Sequence, residues 1–328
     1  MLPDSDYSHS ENKIYCGYCH GFEHKQLYPT NDIFGNHYFI HQCKSCKAYF
    51  LSPQPSEEML KQAYDTTYYG EKEEKFFNII EKFLDFFRYR RSSSLCKHLK
   101  DGAKILDIGC GNGRFLLYLL KFGNFGLFGI ELESNSARRA ARIPQINLKI
   151  GEIEENDYPN STFDAVSMIH VFEHLKQPQK TLKIISDIIK KDGVLIISFP
   201  NISSFQSKLF KGKWTHLDPP RHLFFFSPED FVPLMEGYGF KLVSRKFFSI
   251  EQNPFSMLQG ILNLVCKKRE MLLETLKGNK DYSANYSRFN IFFQILFFII
   301  SFPIFIISDF FESLFNKGAT VEFIFKKT

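Results

Sequence analysis

Short apolar runs alternate with amphipathic stretches through the middle of the chain. Lys104-Ile105-Leu106, Leu127 to Ile130, Asn147 to Ile150, Phe163 to Ile169 and Gly193 to Phe199 each read as a strand, and Arg114 to Leu120 and Ser134 to Arg142 read as intervening helices. This alternation predicts an α/β fold with a parallel, doubly wound sheet and a ligand at the carboxyl ends of its strands. Two further strands are expected at Gly239 to Phe248 and Ala319 to Lys327, with about seventy residues between them.

Those intervening residues follow another pattern. Phe289 to Ser308 is a run of twenty uncharged residues dominated by Phe and Ile, long enough to cross a bilayer. A single crossing would strand Ala319 to Lys327 on the wrong side of the membrane, so a second element is required. Phe255 to Cys266 carries apolar residues at 255, 258, 261, 262 and 265, at helical spacing, but is too short to span. The pattern predicts a re-entrant or interfacial hairpin with basic flanks at Lys267, Lys268, Arg269 and Arg288, bent at Pro303. A buried helix or a dimer interface is the alternative.

At the other end, Phe50 to Ser56 is a proline-marked stop, and Ser56 is placed to cap a helix over Glu57 to Tyr64. A second amphipathic stretch, Glu73 to Tyr89, is expected to cover the ligand pocket. The chain has 328 residues, 44% of them hydrophobic, enough for a large core and a smaller module. Its net charge of +5 is modest and dispersed, which gives no support to a nucleic-acid groove. Met1 to Asn12 is polar and acidic and predicts no secretion signal, so a cytoplasmic enzyme is expected.

Chemistry concentrates in three places. Cys16-Gly-Tyr-Cys19 and Cys43-Lys-Ser-Cys46 are two C-x-x-C pairs, which predict a four-thiolate structural zinc site. His20, His24 and His41 are expected at the surface or outside the ligand set. The first strand ends in Asp107-Ile-Gly109-Cys-Gly111-Asn-Gly113: Gly109 and Gly111 permit a tight turn and close backbone approach, and Gly113 opens a helix whose N-terminus can face an anionic group. Asp107 precedes the glycines where it would repel a pyrophosphate, so a cationic, zwitterionic ligand is expected instead of a dinucleotide. Glu131 closes the second strand about twenty residues later, where a ribose diol needs an acceptor.

These residues resemble motif I of class I methyltransferases that use S-adenosylmethionine. With the two C-x-x-C pairs, Leu51-Ser-Pro-Gln-Pro-Ser56, Tyr64-Asp65-x-x-Tyr68-Tyr69 and His170-Val-Phe-Glu173-His174-Leu, the chain from about residue 14 to 250 is similar to a family of such enzymes with an N-terminal zinc ribbon. The resemblance implies a seven-stranded Rossmann-like sheet whose last two strands are antiparallel. It implies cofactor contacts from Asp107, Gly109, Gly111, Gly113, Glu131, Glu152, Ile153 and His170, with the adenine held near Glu152 and Ile153. It also implies methylation of a small acceptor such as a sugar or a surface-glycan precursor.

The expected organisation is a zinc ribbon over 1–56, pocket-covering helices over 57–100, a methyltransferase domain over 101–250 and 319–328, and a hydrophobic helical insertion over 251–318. Residues 255–308 would hold the enzyme at the inner face of a membrane, where a lipid-linked acceptor would fit. Trp214 to His222 is expected in a loop over the acceptor, which makes His222 and His170 candidates for catalysis. His170, Glu173 and His174 could instead bind a divalent ion, as the corresponding segment of ubiquinone-pathway O-methyltransferases does with an acid in the first position. A quinone-type O-methyltransferase and a non-enzymatic S-adenosylmethionine-binding scaffold are the rival readings.

Overall fold

The computed structural model of the chain describes residues 14–64, 78–284 and 286–328. Tyr68-Tyr69-Gly70 and the start of the expected 73–89 helix lie outside them. The described N-terminal part is a meander of β1 (His24–Asn31), β2 (His37–Cys43) and β3 (Tyr49–Ser52), followed by α1 (Glu57–Ala63). Ser56 caps α1, its side chain accepting a hydrogen bond from the Met59 N–H. A longer helix, α2 (Asn78–Cys96), then leads to the main sheet.

Strands and helices alternate from there: β4 (Lys104–Ile108), α3 (Arg114–Leu119), β5 (Gly126–Glu131), α4 (Asn135–Ala140), β6 (Ile146–Ile150), β7 (Phe163–Ile169), α5 (Pro178–Ile188) and β8 (Ile189–Pro200). After β8 come α6 (Phe205–Phe210), the two-residue β9 (Phe224–Phe225), α7 (Pro228–Gly237) and β10 (Phe240–Lys246). Four helices, α8 (Asn253–Val265), α9 (Met271–Lys277), α10 (Lys280–Ser283) and α11 (Arg288–Leu314), precede the final β11 (Thr320–Lys327).

The main sheet has seven strands in the order β10-β11-β8-β7-β4-β5-β6. The strands from β8 to β6 are mutually parallel, while β11 runs antiparallel to both β8 and β10. The chain reverses its direction of winding at β4, whose neighbours are β5 and β7. That reversal opens a crevice at the carboxyl ends of these strands. Buried aromatics lock the antiparallel edge: the Phe231 ring of α7 lies 4.6 Å from that of Phe199 on β8 and 5.5 Å from that of Phe323 on β11.

One expectation changes. Trp214 does not overhang a pocket; it is fully buried with Tyr38, Ile40, Leu51 and Phe225. A side chain of that size gains most by leaving water, and the loop carrying it pairs β9 with β3 (Tyr49↔Phe225, Phe50↔Phe224) to make a four-stranded sheet. The N-terminal module and the large domain therefore share a core. His41 is likewise buried, stacked on Phe50 with ring centroids 5.4 Å apart.

Candidate functional site

The turn after β4 has the geometry its glycines foreshadow. Gly109 has a φ of +74°, and a Cβ there would meet Val171 Cγ2 at 2.3 Å, so the β4 turn closes directly on the end of β7. Gly111, at φ +57°, faces open space within 4 Å, leaving its backbone accessible to a ligand. Gly113 forms the left-handed N-cap of α3. Glu131 Oε2 accepts a hydrogen bond of 2.6 Å from the Gly111 N–H, so the end of β5 is tied to the loop.

Asp107 is buried beneath this loop, where Ser167 Oγ donates to its Oδ1 at 2.7 Å. Burial pushes its carboxyl up to about 7, and the neighbouring Glu131 adds to the rise. Burial also raises Glu131 itself. Two desolvated carboxyls with raised pKa at the end of a parallel sheet suit a ligand that brings positive charge and a diol. Glu152 is exposed and Ile153 buried after β6, which gives that end of the crevice one polar and one apolar wall.

A cavity of about 310 Å³ opens beside the crevice, between α2, the ends of β8 and β11, and the segment after β10. Its lining includes Arg91, Lys97, His170, Ser198, Lys246 and Glu251. Arg91 is bonded to both Glu251 and Glu322, joining α2 to β11 and to the segment that leads into α8. Ser198 Oγ is buried and makes no hydrogen bond among the described residues, leaving it available to a bound molecule. His170, at the end of β7, has a φ of +54°, a conformation costly for a residue with a side chain. Its N–H donates to Ser198 O at 2.9 Å. These contacts aim the ring at the cavity, with Nδ1 3.5 Å from Glu173 Oε1.

His222 is not in the cavity lining. It is buried, its Nδ1 2.7 Å from His216 O and its Nε2 3.9 Å from Glu173 Oε1. Glu173 is buried too. Burial alone would raise its pKa, but His170 and His222 hold it down to about 2. Burial drops His174 to about 4 and His216 to about 3, so both rings are neutral near pH 7. His174 Nδ1 lies 2.9 Å from Tyr64 Oη and 3.0 Å from Arg221 O, joining the end of α1 to the loop before β9. Ligating atoms of Glu173, His174 and His222 fall within 4.8 Å of one another, so His222 replaces His170 in the group able to hold a cation.

The four N-terminal cysteines converge, their ligating atoms also within 4.8 Å. Cys16 and Cys46 sulfurs are 3.6 Å apart and those of Cys19 and Cys43 are 3.5 Å apart. All four are free thiols, and a tetrahedron with Zn–S bonds of ~2.3 Å has edges of ~3.8 Å, so the cluster fits a zinc ion. Gly21 is part of the cradle, because a Cβ there would lie 3.3 Å from Cys19 Sγ. Sequence reasoning missed Arg91, Ser198, Lys246, Glu251 and Glu322, which carry no motif and meet only through the packing of α2 on the antiparallel edge.

Comparison with known proteins places this geometry. A family model described as a methyltransferase domain matches residues 76–245. The chain is 28% identical over 108 residues to (S)-coclaurine N-methyltransferase of Thalictrum flavum subsp. glaucum, covering 30% of this chain and 29% of that protein. It is 26% identical over 188 residues to the ubiquinone biosynthesis O-methyltransferase of Glaesserella parasuis serovar 5, covering 48% of this chain and 79% of the relative. A probable S-adenosylmethionine-dependent methyltransferase of Mycolicibacterium smegmatis is 26% identical over 155 residues, covering 47% of this chain and 56% of that one. This chain thus spans less than a third of the plant enzyme's length and about half of the mycobacterial one's.

Proposed function

This chain belongs to the methyltransferase-domain family, and from that premise we propose that it moves the methyl group of S-adenosylmethionine to a small polar acceptor. The cofactor supplies a methyl group already activated on a sulfonium. Glu131 accepts hydrogen bonds from the ribose hydroxyls, Asp107 meets the cofactor's positive charge, and Gly109, Gly111 and Gly113 give its backbone room. Glu152 and Ile153 flank the adenine. His170 borders both crevice and cavity, and it receives the proton the acceptor's nucleophilic atom gives up. His222 acts through Glu173 as a positioning residue. Cys16, Cys19, Cys43 and Cys46 hold a structural zinc ion that fixes the N-terminal module against the β9 loop.

The cavity carries the acceptor assignment. Its size is at the low end of the range for small-ligand sites, and its charged and hydroxyl-bearing lining suits a polyhydroxylated molecule such as a sugar or surface-glycan precursor. A lipid-linked form of that acceptor fits the apolar helix α11 beside it, and the enzyme would then work at the cytoplasmic face of a membrane. The Glu173, His174 and His222 group favours one rival, a quinone-type O-methyltransferase that uses a divalent ion.

The test is transfer of labelled methyl from S-adenosylmethionine into nucleotide sugars, a glycolipid extract and phenolic quinone precursors. Label in the sugar fractions, reduced by His170→Ala, is the expected result. Label only in phenols, abolished by chelator while the ribbon zinc is retained, would give the rival reading. Cofactor binding with no transfer to any fraction would leave a scaffold. Metal analysis should find one zinc per chain, lost in Cys43→Ser.

A further inference from the structure

Helix α11 is built inside out. Its buried positions are Gln294, Ser301, Asp309 and Glu312. Its outward positions include Phe289, Phe292, Ile299, Ile300, Ile304 and Ile307, each between 59% and 68% exposed. With Leu296, 37% exposed, between Phe292 and Ile299, they follow one another at steps of three and four residues apart from the adjacent Ile299 and Ile300, and so form a continuous stripe along the helix. In water such a stripe leaves several large side chains hydrated, at a cost of roughly 25 cal/mol for each Å² that a partner could cover.

The polar face is a joint to the rest of the molecule. Asp309 accepts from Asn253 Nδ2 at 2.7 Å and from the Ser249 N–H at 3.0 Å. Gln206 Nε2 donates to Glu312 at 3.3 Å, and Gln294 Nε2 donates to the sulfur of Cys266, the C-cap of α8, at 3.6 Å. These bonds run from the first third of α11 to its last turn and hold it lengthwise on α6 and α8. It cannot stand upright through a bilayer without breaking them.

We infer that α11 lies flat in the headgroup region of an anionic lipid surface and docks the whole chain there. At ~1.5 Å per residue its 27 residues are ~40 Å long, and the apolar surface extends past both ends. Phe205 and Leu209 of α6, each about half exposed, continue it beside the last turn, and Leu264 and Val265 of α8 continue it near the first. Exposed basic residues lie towards both ends, Lys208 on α6 at one and Lys267 and Arg288 at the other. The two acids of α11, Asp309 and Glu312, are buried. This charge distribution complements anionic lipid, whereas a second copy paired along α11 would set basic ends against basic ends. A two-helix seam would also cover only a narrow strip of so wide a face. The inference rests on the membrane-facing part of the proposed function and not on its chemistry. It adds a consequence, because Ser249 lines the cavity and is bonded to Asp309, so the docked helix holds one wall of the acceptor site.

Sedimentation of the purified full-length chain with vesicles of phosphatidylcholine, with and without phosphatidylglycerol, tests it. The chain should pellet with the mixed vesicles, bind the neutral ones about tenfold more weakly, and be released by alkaline carbonate. Ile300→Glu together with Ile304→Glu should abolish pelleting, and Lys208→Glu should weaken it about fivefold, both with S-adenosylmethionine binding unchanged. A folded chain that ignores both vesicle types would overturn the inference. So would a dimer dispersed by Ile300→Glu, or a pelleted chain that resists carbonate. Vesicle binding without cofactor binding would instead sink the methyl-transfer reading and leave this one standing.

Discussion

Helix α5 buries Leu182, Ile184, Ile185 and Ile188 and turns Gln179, Lys183 and Asp187 to solvent, whereas α11 buries Gln294, Ser301, Asp309 and Glu312 and turns Phe and Ile outward. Both are amphipathic helices packed on one protein. The difference lies in what each outer face would meet: water for α5 and, on the inference above, a lipid surface for α11. The same physical rule, that each face matches its surroundings, therefore gives opposite patterns.

The sharpest way to break this comparison is to delete the same methyl groups on the two helices. Ile185→Ala, at a fully buried position of α5, should cost ~2–5 kcal/mol in denaturant unfolding. Replacing Asp309 by Ala should come next. It removes the acceptor of the Ser249 N–H and of Asn253 Nδ2 and should cost ~1–3 kcal/mol by the same measurement, which would show that the joint under α11 is polar.

The buried carboxyl at the cofactor end gives a smaller, pH-dependent effect. Asp107 sits at about 7 in the free chain because burial disfavours its anion. A cationic ligand favours that anion, so binding expels a proton below pH 7. Affinity for S-adenosylmethionine should rise by up to about tenfold per pH unit towards 7 and level off above it, and Asp107→Asn should flatten the profile in calorimetry. Smallest of all should be Ile300→Ala, within ~0.5 kcal/mol of the parent in vesicle-free unfolding although it removes the same atoms as Ile185→Ala. Equal costs at the two isoleucines would mean that α11 is an ordinary core helix.

Much of this was legible in the chain. The strands around Asp107, Glu131 and Ile169 carried apolar runs closed by polar residues, broken in β7 by Asp164 and Ser167, and β7 spans Phe163–Ile169 as read from that pattern alone. Ser56 announced the helix it caps, and Ser134, read as the first residue of a helix, proves to be its cap. The run from Phe289 to Ser308 signalled an apolar environment, but not which face would be outermost, because Gln294 and Ser301 are too few to bias a hydrophobic pattern. Trp214 and His222 were misplaced for a related reason. A loop rich in Pro, His and Asp reads as solvent-exposed, yet here it leads into the strand that pairs with β3, and Trp214 is buried against the N-terminal sheet, α6 and α8. The cavity beside the crevice was invisible because Arg91, Ser198, Glu251 and Glu322 are brought together only by tertiary packing.

The central claim is that the β4 turn and Glu131 hold S-adenosylmethionine, and calorimetric titration of that cofactor into the zinc-loaded chain and its Glu131→Ala variant addresses it most directly. Micromolar binding by the parent, lost in a variant that unfolds at the same denaturant concentration, is the predicted result. A folded, zinc-loaded parent that takes up no cofactor would contradict the account.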